Sequence, residues 1–315
     1  MRLLLAGGSG QIGQLLARAF THEGHTVVAL GRSSGGVLWD AATLGPWCRE
    51  LERCDVLINL AGRSVNCRYT AHNRSEILRS RVDSTRVLGE AIAQVAHPPR
   101  VWLQASTATI YAHRYDAPND ERSGLLGGSE TGVPASWHFG SEVGQAWERA
   151  LDRAPTPRTR KLALRLGMVM SPDRGGIFEV LLGLVRRGLG GRWGDGRQYL
   201  SWLHHADLVR ALRWLIEHEE VRGAVNLSAP EPLPQAQFMR ELRLAWGARV
   251  GLPATKWMLE LGALCMRTET ELVLKSRRVV PGRLLEAGFV FEQPSWSGAA
   301  HELCESWRSA RGAPA

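Results

Sequence analysis

Residues 1–13, Met-Arg-Leu-Leu-Leu-Ala-Gly-Gly-Ser-Gly-Gln-Ile-Gly, decide the fold of this chain. An apolar run of strand length leads into Gly7, Gly10 and Gly13, and a helical pattern opens at Gln11. Strand, glycine turn and helix together are the context in which such glycines predict a nucleotide site. Gly7 would permit the tight turn, Gly10 would let backbone N–H groups approach a pyrophosphate, and Gly13 would let helix and strand pack closely. The helix N-terminus would attract the phosphates.

The second predicted strand, His25 to Leu30, indicates which cofactor the turn would hold. It leads to Gly31 and Arg32, where an NAD site usually has a carboxylate that binds the ribose 2′-hydroxyl. Arginine matches a 2′-phosphate instead, through charge-assisted hydrogen bonds of about 1.5–3 kcal/mol each. We therefore expect NADP(H), preferred over NAD by roughly tenfold to a hundredfold. A solvated turn residue is the alternative interpretation of Arg32.

Strands and helices then alternate as far as residue 166. The pattern predicts strands at Val37–Trp39, Asp55–Gly62, Val101–Thr107 and Lys161–Leu166, and helices at His72–Val95 and His138–Leu151. A polar, Gly- and Pro-rich loop fills most of the interval from 113 to 137. This alternation predicts an α/β fold, a Rossmann-type doubly wound parallel sheet with right-handed crossovers.

The pattern changes after Gly167, where we predict a smaller and mainly helical C-terminal lobe. Its expected elements are helices at 177–187 and 208–218 and strands at 198–203, 223–227 and 289–291. We assign residues 1–167, rejoined by about 205–227, to an NADP-binding domain. Residues 168–204 and 228–315 would form a small substrate lobe.

Composition excludes several classes of protein. The 315 residues carry a net charge of +8 and a pI near 9.8, but the arginines are scattered and no aromatic-basic motif accompanies them, so we predict no nucleic-acid partner. No apolar run is long enough for a membrane span. Five cysteines without a CxxC pair indicate free thiols in a reducing compartment, and the strand at the start argues against a signal peptide. We expect a cytoplasmic protein without a metal site.

Four motifs in order carry a family resemblance: Gly7-x-x-Gly10-x-x-Gly13, Asn59-Leu-Ala-Gly62, Ser106-Thr107 and His204-x-x-Asp207. With them the chain resembles an extended short-chain dehydrogenase/reductase. Residues 189–204 and 279–291 look like its epimerase-family subgroup, whose members are called nucleoside-diphosphate-sugar epimerase-like or cell-division-inhibitor-like. The resemblance implies an extended Rossmann fold with NADP(H) bound, and by analogy a homodimer formed through the two long helices.

The expected cofactor site joins residues from the pattern and from the resemblance. Position relative to the predicted strands selects Gly7, Gly10, Gln11, Ile12, Gly13, Asp40, Gly62 and Ser106. The resemblance implies cofactor roles for Gly31, Arg32, Leu60, Ala61, Glu76, Arg81, Gly167, Met168 and Val169. Glu76 and Arg81 have an alternative interpretation, as the solvated face of a helix.

The expected proton-transfer pair is missing. Enzymes of this fold place a Ser or Thr at the end of the fifth strand, and Tyr and Lys four residues apart on the next helix, where the ammonium lowers the phenol pKa. Thr107 occupies the first position, but Phe139 and Val143 stand where Tyr and Lys would be. Because Glu271 precedes Lys275 by four residues, and Pro157 and Leu252 precede the other two lysines, no Tyr-x-x-x-Lys exists in the chain.

Substitutes are few. Tyr111 is the first candidate proton donor beside Thr107, although a packed aromatic is the stronger interpretation; His113, His138 and Glu142 are other titratable neighbours in the sequence. We expect His204 and Asp207 to orient backbone where the lobes meet. Ligand spacing for zinc at His204-His205 is lacking.

Substrate recognition departs from the extended class too. Leu200-Ser201 replaces the Arg-Asp pair whose arginine would bind a sugar-nucleotide diphosphate, and Arg192 or Arg197 are the candidates to compensate. Three hypotheses follow: an NADPH-dependent oxidoreductase on an unidentified small molecule, a non-enzymatic NADPH-binding sensor or regulator, and, with least support, a nucleotide-sugar epimerase.

Overall fold

The computed structural model describes residues 1–32, 36–255, 258 and 269–312. Ser33, Ser34 and Cys265 lie outside the described residues. The strands are β1 (Arg2–Ala6), β2 (Thr26–Gly31), β3 (Val37–Leu38), β4 (Val56–Asn59), β5 (Val101–Thr107), β6 (Arg160–Leu166), β7 (Met168–Met170), β8 (Tyr199–Leu200), β9 (Trp202–His204), β10 (Gly223–Leu227) and β11 (Leu233–Pro234). The helices are α1 (Gln11–His22), α2 (Ala71–Gln94), α3 (His138–Arg153), α4 (Ile177–Arg186), α5 (His205–Glu217), α6 (Gln235–Trp246), α7 (Glu271–Leu274), α8 (Gly282–Glu286) and α9 (Trp296–Ser309).

Seven parallel strands form the central sheet in the order β10-β6-β5-β4-β1-β2-β3. The order reverses between β1 and β4, because the chain extends outward from β1 first to one edge and then to the other. The predicted Rossmann-type doubly wound sheet is therefore confirmed. Ligands of such sheets bind beyond the carboxyl ends of the strands at the point of reversal.

Alternation along the strands builds a core on each face of the sheet. Leu3 and Leu5 of β1 pack with α1 and α5 on one face, while Leu4 and Ala6 pack with α2 on the other. Successive strand side chains point to opposite faces, so a strand covered on both sides is apolar at every position. This explains why β1 and β4 are continuous apolar runs.

A second core lies in the C-terminal half. There β7 pairs with β9, β8 pairs with β11, and α4, α6 and α9 pack around them. Trp296 stacks on Phe238 with ring centroids 3.9 Å apart and meets Trp202 edge-on at 5.0 Å. The division into two domains remains a prediction, and one segment crosses it: Phe289 and Phe291 pack into the core of the large sheet.

Three predicted elements differ from the structure. The strand expected over 198–203 is divided into β8 and β9 at Ser201, whose hydroxyl donates to the carbonyl of Arg277 at 2.6 Å and accepts the N–H of Val279 at 2.8 Å. The helix expected from Leu208 begins at His205, since the His204 side chain caps it. Residues 289–291 form no strand.

Asp207 explains the last difference. Its buried carboxylate accepts hydrogen bonds from the backbone N–H groups of Glu292 at 2.8 Å and Gln293 at 2.9 Å. Those two bonds fix the backbone just after Phe291, so residues 289–291 keep their position without pairing to a strand. The expectation that His204 and Asp207 orient backbone is confirmed.

No helix in the described part of the chain is long and apolar enough to cross a bilayer.

We predict that Asp207→Ala lowers the free energy of unfolding by at least about 3 kcal/mol, because two charge-assisted hydrogen bonds of about 1.5–3 kcal/mol each lose their acceptor. Urea denaturation followed by circular dichroism measures this. The exposed Asp152→Ala is the matched control and should change stability by no more than about 0.5 kcal/mol. Equal effects of the two substitutions would contradict the role of Asp207.

Candidate functional site

The glycine turn is forced by close backbone contacts. Gly7 has φ +81°, and a Cβ there would lie 2.9 Å from the backbone N of Ala61 and the carbonyl carbon of Leu60. A Cβ on Gly13 would lie 2.7 Å from the Gly7 oxygen. Only glycine fits where β1, the end of β4 and α1 converge.

The first turn of α1 offers donors to an anion. Its N-cap is Gly10, with no side-chain cap and no acidic residue in the first turn. The N–H groups at a helix N-terminus have no partner within the helix, and the dipole is positive there. This end of α1 therefore has the features of a phosphate site.

The end of β4 is held by a buried amide. Asn59 accepts a hydrogen bond from the Ala61 N–H at 3.0 Å and donates to Gln104 Oε1 at 3.0 Å. Both side chains are almost fully buried. Because Asn59 directs the turn after β4 toward Gly7, the two predicted motifs form one structural unit.

Two adjoining cavities form a cleft along the carboxyl edge of the sheet, and they share Gly7, Gly10 and Leu60. The outer half, about 540 Å³, is lined by the expected residues Gly31, Arg32, Asp40, Ala61, Gly62 and Glu76. The inner half, about 490 Å³, is lined by Gln11, Ile12, Gly13, Arg81, Ser106, Thr107, Phe139 and Val143. The structure thus brings most of the expected residues together.

Six expected residues lie elsewhere. Gly167, Met168 and Val169 follow Leu166, which lines the cleft, but they do not line it themselves. Arg192 and Arg197 are exposed on the turn before β8, and Arg197 lies over the Tyr115 ring at 5.6 Å. Tyr111 is the sixth.

Tyr111 belongs to a buried network behind the cleft. Its hydroxyl accepts a hydrogen bond from Arg165 at 2.7 Å and donates to Asn226 Oδ1 at 2.9 Å. Arg165 in turn pairs with Glu148 at 2.7 Å, and Glu148 accepts the hydroxyl of Ser106 at 2.6 Å. The phenol is 2% exposed and is fully engaged, so the geometry gives it a structural role.

The other candidate proton donors also lie outside the cleft lining. His113 accepts the Ser276 N–H at 2.8 Å, and burial lowers its pKa. His138 lies 3.3 Å from the carbonyl oxygen of Glu130, and the exposed Glu142 pairs with Arg74 at 3.7 Å.

Electrostatics differ between the two halves of the cleft. In the outer half, hydrogen bonds from Thr43 and Ala42 lower the pKa of Asp40 to about 2, so this carboxylate is ionised at neutral pH. In the inner half, Arg81 donates to the backbone carbonyls of Arg63 and Ile77, and burial lowers its pKa to about 10. The guanidinium of Arg81 therefore reaches the cleft rather than open solvent.

Two titratable residues of the inner half were not expected. Tyr69 lines it and meets the Phe139 ring edge-on at 4.9 Å, and Glu271 of α7 lines it from the C-terminal half. The Glu271-x-x-x-Lys275 spacing is visible in the sequence, but no local pattern places it at the ends of β1 and β5. Burial raises the pKa of both Tyr69 and Glu271.

Models of two protein families match this chain. The model of the NAD dependent epimerase/dehydratase family matches residues 3–228. The chain belongs to that family. A second model, described as a domain of unknown function (DUF1731), matches residues 254–303, which include Glu271.

Relatives of this epimerase-family chain match nearly all of its length. Epimerase family protein SDR39U1 of Bos taurus is 33% identical over 96% of this chain and 99% of that protein. YfhF of Bacillus subtilis is 28% identical over 96% and 98%. The crystal structure of human SDR39U1 (isoform 2), determined with NADPH, superposes with a TM-score of 0.84 at 31% identity, over 97% of this chain and 99% of that one.

His204 and His205 lie near Glu302, with potential ligand atoms within 4.8 Å of one another. His204 Nδ1 accepts the Ala206 N–H at 3.3 Å and its Nε2 lies 2.7 Å from Glu302. A neutral imidazole carries its hydrogen on one nitrogen. The cap therefore makes Nε2 the donor to Glu302, which leaves it no lone pair for a metal.

We predict that Arg165→Met in this epimerase-family chain lowers the free energy of unfolding by about 3–5 kcal/mol, because it leaves the Glu148 carboxylate buried without its cation. Thermal and urea denaturation measure the change. The double variant Glu148→Leu/Arg165→Met should lose less than Arg165→Met alone, since no unpaired charge remains. A double variant whose loss equals the sum of the two single losses would contradict this account.

Proposed function

We propose that the chain binds NADP(H) along the cleft and acts as an NADPH-dependent oxidoreductase on a small molecule. The observation that carries the proposal is that the two cavities join Arg32, the glycine turn and Thr107 along the carboxyl edge of a doubly wound sheet. The NADPH in the crystal structure of the human relative supports the same cofactor.

The residues present fit this cofactor. Gly7 and Gly13, where a Cβ would collide with backbone atoms, form a turn that suits a pyrophosphate. The N-terminus of α1, which no side chain caps, suits it as well. The exposed Arg32 suits a 2′-phosphate, with Asp40 beside it toward the adenine. Leu60, Ala61 and Gly62 would border the ribose, and Thr107 and Leu166 would lie toward the nicotinamide.

Thr107 is oriented to assist a reaction at a carbonyl group. Its Oγ1 accepts the Thr109 N–H at 3.1 Å, which leaves the hydroxyl hydrogen for a substrate oxygen. NADPH, when bound, supplies a hydride, and the chain must therefore supply a proton. Phe139 and Val143 supply none, so the proton must come from another residue of the inner half.

A non-enzymatic NADPH sensor is the second candidate. The apolar side chains of Phe139 and Val143 favour it, because they line the cleft where the proton-transfer pair would stand. It predicts that NADPH changes a partner interaction or the oligomeric state, including the homodimer expected through α2 and α3. Nucleotide-sugar epimerisation has less support, since neither Arg192 nor Arg197 lines the cleft.

We predict that Arg32→Asp weakens NADPH binding at least tenfold and leaves NADH binding nearly unchanged, because only NADPH carries the phosphate that the guanidinium binds. Isothermal titration with each nucleotide measures both affinities. Arg213→Asp, on α5, is the control and should alter neither. Equal weakening of both nucleotides by Arg32→Asp would refute the 2′-phosphate role.

The reaction class has its own test. With a fixed panel of aldehydes, ketones and quinones, we expect NADPH oxidation at 340 nm for at least one compound, on the order of 1 s⁻¹ or faster if the compound resembles the substrate. Tight NADPH binding without turnover at any pH would favour the sensor. Ordinary steady-state turnover would exclude it.

A further inference from the structure

The C-terminal half of the chain contributes a buried acidic residue, Glu271, to the lining of the inner half of the cleft. The side chain of Glu271 is 2% exposed, and neither of its oxygens has a hydrogen-bond partner among the described residues. It lines the same cavity as Thr107 and Phe139. Buried polar atoms in folded proteins nearly always have hydrogen-bond partners, so a buried carboxyl without one, in a residue that lines a ligand cleft, points to a ligand as its partner.

We propose that Glu271 is the proton donor of this cleft and that Lys275 is its positioning residue. This proposal rests on the proposed reductase function. Glu271 and Lys275, four residues apart in the C-terminal half, would replace the Tyr-x-x-x-Lys pair that α3 lacks.

The glycine next to Phe139 makes room for the carboxyl group. A Cβ on Gly140 would lie 2.5 Å from Glu271 Oε1 and 2.7 Å from Thr109 Cγ2. One turn later, a Cβ on Gly144 would lie 3.1 Å from Thr107 Cγ2. The absence of side chains at these two positions therefore lets α3 approach both Glu271 and the threonines that follow β5.

Lys275 holds a positive charge beside this carboxyl. Its ammonium lies 3.6 Å from Glu271 Oε1 and is 1% exposed. It donates to Ser141 Oγ at 2.8 Å and to the carbonyls of Thr109 at 3.2 Å and Trp137 at 3.3 Å. An ammonium has three donors, and these three acceptors satisfy them all. The carboxyl oxygens of Glu271 are thereby left for another group.

Arg277 links the segment that contains Glu271 to the chain just after β5, the strand that ends at Thr107. Its buried guanidinium donates to Thr109 Oγ1 at 2.9 Å and to the backbone carbonyl of Glu271 at 3.2 Å. The segment that carries Glu271 is therefore held by bonds from Arg277 and Lys275 to Thr109, just after β5, and from Lys275 to Ser141 of α3. Such support is what a proton donor needs to be held in one place.

Electrostatics favour the acid form. Burial raises the pKa of Glu271, and Glu269 raises it further, whereas Arg277 and Lys275 lower it. The protonated carboxyl donates during reduction, so the rate should be full below this pKa and fall as the pH rises through it. Burial also lowers the pKa of Lys275.

Tyr69 is the competing donor, because its phenol lines the same cavity. Burial and then the charge of Glu271 raise its pKa, whereas Arg277 lowers it. A donor works best when its pKa is near the operating pH. The pKa of Glu271 moves toward neutrality, and that of Tyr69 moves away from it.

The proposed step balances as the reduction of a carbonyl to an alcohol. The substrate carbon gains a hydride from the dihydronicotinamide, which becomes NADP⁺, while the carbonyl π pair moves to oxygen. That oxygen takes the proton of Glu271, which is left as a carboxylate beside Lys275. A solvent proton restores the acid before the next turnover.

The test compares the wild-type chain with Glu271→Gln, Tyr69→Phe and the exposed control Glu286→Gln. We expect Glu271→Gln to lower kcat on the carbonyl panel at least a hundredfold while the NADPH Kd changes less than threefold. Tyr69→Phe should lower kcat by a smaller factor, and its kcat should still fall at alkaline pH. Glu286→Gln should have the kcat of the wild type.

A second readout needs no turnover. Infrared difference spectra of the NADP⁺-loaded wild type, titrated with alkali, should show a buried carboxylic acid at pH 7, and Glu271→Gln assigns it. In Lys275→Met the pKa of this acid should rise by at least about one unit, because an opposite charge within 4–6 Å has been removed. The alkaline limb of kcat should move with it.

The outcomes separate the two proposals. A wild-type chain that binds NADPH but reduces no member of the panel overturns the proposed reductase function. A Glu271 carboxyl that is ionised at pH 7, a Glu271→Gln variant with wild-type kcat, or a Tyr69→Phe variant that loses the alkaline limb overturns this inference and leaves the reductase function standing. An unshifted acid in Lys275→Met overturns the role of Lys275.

Discussion

The contact between Gly7 and the Leu60–Ala61 peptide is the constraint on which the rest of the site depends. A Cβ on Gly7 would lie 2.9 Å from this peptide, so the position has no room for a side chain. It brings the ends of β1 and β4 together where the strand order of the sheet reverses, and it leaves the N-terminus of α1 open to an anion. The cleft extends from this point in both directions.

The two halves of the cleft are built from different parts of the chain. Residues of the first hundred positions form the outer half, where exposed charges such as Arg32 and Asp40 suit a polar nucleotide. The inner half adds α3 and Glu271 of α7, and its lining includes the buried Ser106 and Glu271. Low polarity strengthens electrostatic interactions, so a few groups there have large effects. For this reason our proposal places the chemistry in the inner half of the cleft and the adenine end of the nucleotide in the outer half.

Polar groups around the inner half divide into satisfied and unsatisfied sets. Tyr111, Arg165 and Glu148 bond to one another, and this closed network stabilises the strand ends. Lys275 is likewise satisfied, but the oxygens of Glu271 are not. Whether a polar residue is available to a ligand therefore depends less on its type than on whether the protein already supplies its hydrogen-bond partners. Tyr111, the expected proton donor, is fully hydrogen-bonded, whereas the carboxyl oxygens of Glu271, which was not expected in the site, have no hydrogen-bond partner among the described residues.

The sequence by itself determined the sheet and the glycine turn, because these follow from local periodicity and from contacts within one βα unit. Together with the family resemblance it also selected most of the expected residues that line the cleft. Local patterns missed the divided strand at Ser201 and the irregular 289–291 segment, where single side-chain bonds from distant residues decide the backbone. Only the tertiary structure brought Glu271 and Thr107, which are 164 positions apart in the chain, into the lining of one cavity. Arg277 and Lys275 tie the segment that carries Glu271 to Thr109, just after β5, through contacts that no periodicity encodes.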